Sequence, residues 1–195
     1  AQRRGRDGAM AGRDGAMAFL TIYTPTYRRP LLLAECRASV AAQSDPDYQH
    51  LVIEDTVGLG IGGMFAAIRQ HTALIEGEYV YVLQDDDVLV DREFVRELKA
   101  FVWQHNRPPV VIVRNRKHGL QPRRWRQAPQ LGSIDLGSYV VRADVFCRHA
   151  DQFGARYEGD YDFIRFLWDR RYTFAWWDRL VAEAQQVGMG RPEAS

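Results

Sequence analysis

Three consecutive carboxylates, Asp85, Asp86 and Asp87, close the apolar run Tyr79-Val80-Tyr81-Val82-Leu83. A β-rich run that stops at a block of like charge reads as a buried strand delivering carboxylates to its C-terminal end, where open α/β sheets place their ligands. Adjacent anions repel, and unless they point into water a bound divalent cation is what most readily holds them together. Oxygen-only ligands favour Mg²⁺ or Mn²⁺ over zinc, and such a metal commonly holds phosphates. On an extended strand end Asp85 and Asp87 point to one side and Asp86 to the other, so spacing alone favours the outer two as the metal pair. The competing reading is a solvated acidic turn.

A second concentration of charge lies between Arg114 and Arg126, where Arg114, Arg116, Lys117, Arg123, Arg124 and Arg126 occur with no acid among them and Trp125 interleaved. Such a loop suits a leaving diphosphate, a phosphorylated or lipid-linked acceptor, or peripheral contact with an anionic membrane; a plain solvated loop is the alternative. The glycine run Gly58-Leu59-Gly60-Ile61-Gly62-Gly63 lacks the Lys-Ser/Thr of a P-loop and the dinucleotide spacing, so by itself it names no ligand.

The elements that must position these residues alternate. Phe19 to Thr24 is a first strand closed by Pro25, Leu31 to Gln43 a helix, and His50 to Ile53 a strand ending at Glu54-Asp55. After the glycine loop come a helix from Met64 to about Ile75 and the strand Tyr79 to Leu83. A helix from about Arg92 to Gln104, strands at Val110–Val113 and Ser138–Val141, and a late helix from Tyr161 to Arg170 follow. The β-α-β-α-β order implies right-handed parallel crossovers, hence an α/β doubly wound, mostly parallel sheet flanked by helices. Both acidic strand ends then face the same side. The aromatic run through Phe174, Trp176 and Trp177 reads as packing.

The chain has 195 residues, of which 46% are hydrophobic, enough to bury a core as a single domain. A net charge of +1 gives no global field for nucleic acid. Cys36 and Cys147 have no zinc-ligand spacing and read as free thiols in a reducing compartment. With no apolar stretch long enough for a membrane span and no secretory segment, a soluble cytoplasmic protein is expected. The direct repeat of Gly-Arg-Asp-Gly-Ala-Met-Ala cannot bury a core, so residues 1–18 read as a flexible leader and 19–195 as the domain.

Several of these motifs, in this order, resemble the inverting, nucleotide-sugar-dependent glycosyltransferases of the family 2 type, with the GT-A fold. Thr24-Pro25-Thr26-Tyr27-Arg28-Arg29-Pro30 resembles the family's opening Pro-Thr-Tyr-x-Arg segment, and His50 to Asp55 its second strand. Gly77-Glu78-Tyr79 through Leu89 is similar to the strand leading into its Asp-x-Asp metal motif. Glu158-Gly159-Asp160-Tyr161-Asp162-Phe163 is similar to the late Glu-Asp segment that supplies the catalytic base. The resemblance implies donor binding by Thr24, Pro25, Thr26, Tyr27, Asp55, Asp85 and Asp86, and a Mn²⁺ or Mg²⁺ site drawn from Asp85, Asp86 and Asp87; Arg69, on the helix after the glycine loop, is placed to reach a phosphate, with a solvated helix face the alternative. Aligning the family's Leu-Asp-x-Asp-Asp puts Gln84 on the first acid and Asp86 on the second. It implies Asp160 as general base, with Asp162 as second choice, and substrate contacts from Asp135, Glu158 and Asp162.

The implied partners are a nucleoside-diphosphate sugar of UDP or GDP type and a carbohydrate or lipid-linked acceptor. No histidine follows His149, which leaves a minimal member of the family or one whose acceptor site is completed by a second copy of the chain. A nucleotidyltransferase would carry a basic Gly-rich loop after strand one, where this chain has Thr-Pro-Thr-Tyr. A Toprim-type nucleic-acid enzyme would need a glutamate there. A catalytically silent nucleotide- or carbohydrate-binding module is the remaining alternative.

Overall fold

A computed structural model describes residues 17–117 and 119–185. The leader repeat, up to residue 16, lies outside them. Among the described residues eight strands form one sheet: β1 (Leu20–Thr26), β2 (Tyr48–Glu54), β3 (Tyr79–Val82), β4 (Asp87–Leu89), β5 (Val110–Arg116), β6 (Leu120–Gln121), β7 (Tyr139–Arg142) and β8 (Phe174–Ala184). Their order is β2-β1-β3-β7-β5-β8-β4, with β6 paired to β5. The helices are α1 (Pro30–Ala41), α2 (Gly60–Gln70), α3 (Phe94–Gln104), α4 (Ala143–Arg148) and α5 (Gly159–Asp169).

Strand direction explains why distant segments meet. β1 is parallel to β2 and β3, β7 is antiparallel to both β3 and β5, and β8 is parallel to β5. So β1, β2, β3, β5 and β8 all point one way and end on one rim, which is the doubly wound α/β arrangement read from the sequence. β7 and β4 run the other way, against β3 and β8. Their first residues therefore reach the same rim, which brings Asp87 and the segment before Tyr139 to the strand ends that carry Thr26, Asp55, Gln84 and Lys117.

The two-residue period of the strands sorts the core into two layers. Leu20, Ile22, Tyr79, Tyr81, Val111, Val113 and Val140 face one way and pack with Cys36 and Val40 of α1 and with Phe94, Leu98 and Val102 of α3. Tyr23, Val80, Val82, Val110, Ile112 and Val141 face the other way, onto Phe65 and Ile68 of α2, Val145 and Phe146 of α4, and Phe163, Ile164 and Leu167 of α5. Cys36 is buried in the first layer and Cys147 packs on the second, and both are free thiols. Among the described residues no helix is long and apolar enough to cross a membrane.

The structure differs from the sequence reading at three places that matter for the rim. Gly60 to Gly63 are not loop but the first turn of α2, because the Asp55 carboxylate accepts the backbone N–H groups of Val57, Gly58 and Leu59 just ahead of it. The aspartate triplet is not an extended strand end. Asp87 N–H donates to the Gln84 carbonyl at 3.0 Å, closing a turn between β3 and β4, so alternation of sides does not apply to the three acids. Arg114 and Arg116 belong to β5 rather than to a basic loop, since both pair with acids of the neighbouring β8, Asp178 and Glu183. Phe174, Trp176 and Trp177 pack as expected: Trp177 stacks on Phe94 and Phe101, and Trp176 meets Trp125 edge-on.

Gly77 sits where the chain enters β3 against the start of β1. A Cβ there would lie 2.3 Å from the Thr21 backbone nitrogen and 2.6 Å from the Leu20 carbonyl carbon. Gly77→Ala must move one of the two strands and is expected to lower stability by about 1–3 kcal/mol in urea denaturation. An unchanged midpoint would contradict the tight β1–β3 approach.

Candidate functional site

The turn after β3 places two of the three acids side by side under one cation. Asp85 Oδ2 accepts the Thr26 hydroxyl at 2.7 Å and its Oδ1 accepts Arg29 Nη1 at 2.8 Å; the same Nη1 lies 3.3 Å from Asp86 Oδ2. Only 4% of Asp85, 3% of Asp86 and 7% of Asp87 is exposed, so the charges are held away from water and depend on these partners. Arg29 reaches them from the β1–α1 junction, where Arg28 takes a left-handed backbone conformation with φ +49° and Pro30 opens the helix. Burial raises the Asp85 pKa even against the bonds from Thr26 and Arg29. Asp86 Oδ1 is buried and has no protein partner.

The third acid is relieved from the opposite side of the rim. Burial pushes Asp87 up to about 7, against the attraction of Lys117 and with the repulsion of Asp86, Asp135 and Asp85. Lys117, just past β5, donates to Gln84 Oε1 at 2.7 Å. Burial works against its charge, but Asp87, Asp86 and Asp135 outweigh that and raise its pKa.

Asp160 lies in the first turn of α5. Burial pushes its carboxyl up to about 7, although the Tyr161 N–H donates to it at 2.7 Å, and Asp135 adds to the rise. A carboxylate poised near neutrality is suited to accept a proton. Tyr139, at the start of β7, donates its hydroxyl to the Asp160 backbone carbonyl at 3.2 Å and so ties α5 to the sheet. Asp135 opens the short 3-10 helix Leu136–Ser138. Its Oδ1 accepts Asn115 Nδ2 at 2.6 Å and the Ser138 hydroxyl at 2.7 Å.

At the other end of the rim, the three backbone N–H bonds hold Asp55 below the usual carboxylate range despite its partial burial. Gly58, with φ +86°, passes so close under Tyr27 that a Cβ would lie 2.5 Å from the phenol oxygen. Tyr27 and Asp55 thus form one wall.

These groups surround a cavity of about 820 Å³, a volume suited to a ligand with several chemical parts. Of the residues named from the sequence, Pro25, Thr26, Tyr27, Asp55, Asp85, Asp86, Asp135, Glu158 and Asp160 line it. Thr24, Arg69, Asp87 and Asp162 do not line it. Asp87 is buried behind the lining, Thr24 bonds His50 Nε2 at 3.0 Å between strands, Arg69 donates to the Phe153 carbonyl at 2.9 Å, and Asp162 is paired with Arg156.

The lining also includes Arg29, Gln84, Gln121 and Tyr157, to which the sequence reading gave no binding role, and Lys117 and Arg123 from the basic stretch that it read as suited to a diphosphate or an anionic surface. Arg29 could have been inferred, since two adjacent buried carboxylates require a cation from some neighbouring strand end. Gln121 Oε1 is, like Asp86 Oδ1, a buried acceptor without a protein partner, and nothing in its sequence context marks it. Among the described residues no group of three or more His, Cys, Asp or Glu side chains is arranged to hold a metal ion alone. A Mg²⁺ or Mn²⁺ shared between one or two carboxylates and bound phosphates needs no such group. The unpartnered Asp86 oxygen is a donor atom of that kind, and each Asp85 oxygen, which accepts one hydrogen bond, keeps a lone pair.

No family model and no curated protein sequence matches the chain. Solved structures do. The S. aureus protein TarS (residues 1–349) superposes with a TM-score of 0.59 at 15% identity, over 85% of this chain and 60% of that one. Its complex with UDP gives 0.57 at 18% identity, covering 86% and 60%, and its complex with UDP-GlcNAc gives 0.61 at 14%, covering 91% and 61%. The chain spans about three-fifths of that 1–349 segment and 37% of the longer TarS structure. Identity this low speaks for architecture, and the architecture is the GT-A-like α/β fold.

Removing Arg29 leaves two buried carboxylates without their shared counter-ion. Arg29→Met is expected to cost about 3–5 kcal/mol of stability at neutral pH, measured by chemical denaturation. A loss below about 1 kcal/mol, the range of exposed ion pairs, would contradict the burial of this cluster.

Proposed function

We propose that the chain is a metal-dependent, inverting glycosyltransferase domain that moves a sugar from a nucleoside diphosphate of UDP or GDP type to an acceptor hydroxyl. The observation that carries this reading is the convergence, on one cavity, of three kinds of group that such a donor would engage. Tyr27 and Asp55 offer an aromatic face and a carboxylate for a base and ribose. Asp86 and its neighbours stand at the middle, and Asp160, poised near neutral pKa, at the far side. A protein of the same fold binds both UDP and UDP-GlcNAc, which is the ligand class the cavity suits.

In this reading the donor's base packs against Tyr27 while Asp55 accepts hydrogen bonds from base or ribose. A Mg²⁺ or Mn²⁺ held through Asp86 would supply Lewis-acid neutralisation of the departing diphosphate. Gln121 Oε1 and Asp135 are acceptors for sugar hydroxyls, and Glu158 borders the acceptor side. Asp160 takes the proton of the acceptor hydroxyl as that oxygen attacks the anomeric carbon. The bond from that carbon to the phosphate oxygen breaks on the opposite face, and the electron pair leaves with the nucleoside diphosphate. One displacement inverts the anomeric centre.

The base acts only when ionised, so its raised pKa sets the direction of the pH dependence. Transfer or donor hydrolysis is expected to fall about tenfold per pH unit below about 7 and to level off above it. Asp160→Asn should lower turnover by at least about a hundredfold and leave UDP affinity, measured by calorimetry with Mn²⁺, within about twofold. Unchanged turnover removes Asp160 from the base role, and UDP binding without any transfer or hydrolysis identifies a silent module instead. Asp86→Ala should weaken UDP binding in Mn²⁺ about tenfold or more; equal affinity with and without Mn²⁺ in the unaltered chain contradicts the metal assignment.

A further inference from the structure

Six basic side chains between Arg114 and Arg126 lack acids in sequence, yet the fold gives them different tasks. Arg114 bonds Asp178 at 2.8 Å and the Pro122 carbonyl at 2.8 Å, with its guanidinium 3.8 Å over the Trp125 ring. Arg116 pairs with Glu183 across β5 and β8. Arg124 and Arg126 are exposed and do not line the cavity, and Arg123 lines it but is exposed. Lys117 is the half-buried cation of the set that lines it.

The environment of Lys117 differs from that of Arg29. Arg29 is already committed to Asp85 and Asp86. Lys117 is held by a neutral group, the Gln84 side-chain oxygen at 2.7 Å, and among the described residues it forms no ion pair within 4.0 Å. An ammonium has three donors, and the amide occupies one without cancelling the charge. A carboxylate at position 84, directly before the acidic turn, would have paired with Lys117 and neutralised it. The amide instead orients a full positive charge at the edge of the cavity, beside the turn that carries Asp86.

We infer that Lys117, oriented by Gln84, is a phosphate-binding residue of this cavity and gives it an affinity for the diphosphate of a nucleotide that does not require a metal ion. The inference rests on the nucleotide-sugar reading above and adds a residue to it. A lysine acts on phosphate as a point charge, so the contribution is electrostatic and depends on charge at residue 117 and on neutrality at residue 84. If Lys117 served only as counter-ion to the acidic turn, its loss would change stability and leave nucleotide affinity alone.

Calorimetric titration with UDP and with uridine, in EDTA and in Mn²⁺, separates these outcomes, with circular dichroism to confirm folding. The unaltered chain in EDTA should bind UDP more tightly than uridine. Lys117→Met should weaken UDP in EDTA by about ten- to a hundredfold and leave uridine unchanged, while Lys117→Arg retains most of the UDP affinity. Gln84→Glu, which keeps the lysine but pairs it, should also weaken UDP in EDTA and serves as the test if Lys117→Met does not fold. The proposal is overturned if UDP and uridine bind equally in EDTA, or if folded Lys117→Met or Gln84→Glu binds UDP as the unaltered chain does. Failure of the unaltered chain to bind UDP or GDP even with Mn²⁺ overturns the nucleotide-sugar reading itself, and this proposal with it.

Discussion

The burial of three consecutive carboxylates at the rim of the sheet is the constraint on which the rest of the structure depends. Such a cluster cannot persist in a low-dielectric setting without cations aimed at it and without some uptake of protons. Arg29 answers the charge of Asp85 and Asp86, while Asp87, pushed up to about 7, relieves the remainder partly by protonation and partly through Lys117. The cations arrive from the β1–α1 junction and from the end of β5, so neutralising the acids also fixes the spacing of these segments around the turn between β3 and β4.

That arrangement leaves a specific deficit. Asp86 Oδ1 and Gln121 Oε1 are buried acceptors without protein partners, and Lys117 is a cation held by a neutral amide. Each would gain from a ligand carrying both hydroxyl donors and anionic oxygens, the mixture found in a nucleotide sugar. The two ends of the cavity are stiffer. Tyr27 is braced on Gly58 and Asp55 on three backbone N–H groups, while Asp160 is tied to the sheet through Tyr139. Rigid walls flanking an unsatisfied centre are what a pre-organised binding site requires.

Much of the architecture was legible in the sequence because apolar period and turn residues mark buried strands and helices locally. The strand Tyr79–Leu83 with its acidic end, the crossover helices and the shared rim could all be read in that way. The carboxylates that line the cavity stood out for the same reason, lying just beyond strands and at the opening of α5. What escaped the reading depended on contacts between segments far apart in the chain. Arg29 falls on the Arg of the Pro-Thr-Tyr-x-Arg segment, but the acid it bonds lies 56 residues away in the chain, and Arg114 and Arg116 reveal their β8 partners only through sheet pairing. Gln84 looks like a lost acid in sequence and becomes a lysine anchor in three dimensions. The side assignment of the three aspartates failed because a turn, not a strand, carries them.

A crystal structure of the chain with UDP and Mn²⁺ bound tests the central claim most directly. The account requires the diphosphate to lie between Asp86 and Lys117, with the uracil against Tyr27 and the open end of the β-phosphate directed toward Asp160. A nucleotide seated elsewhere on the surface, or a cavity that stays filled by its own side chains at saturating UDP, would contradict it.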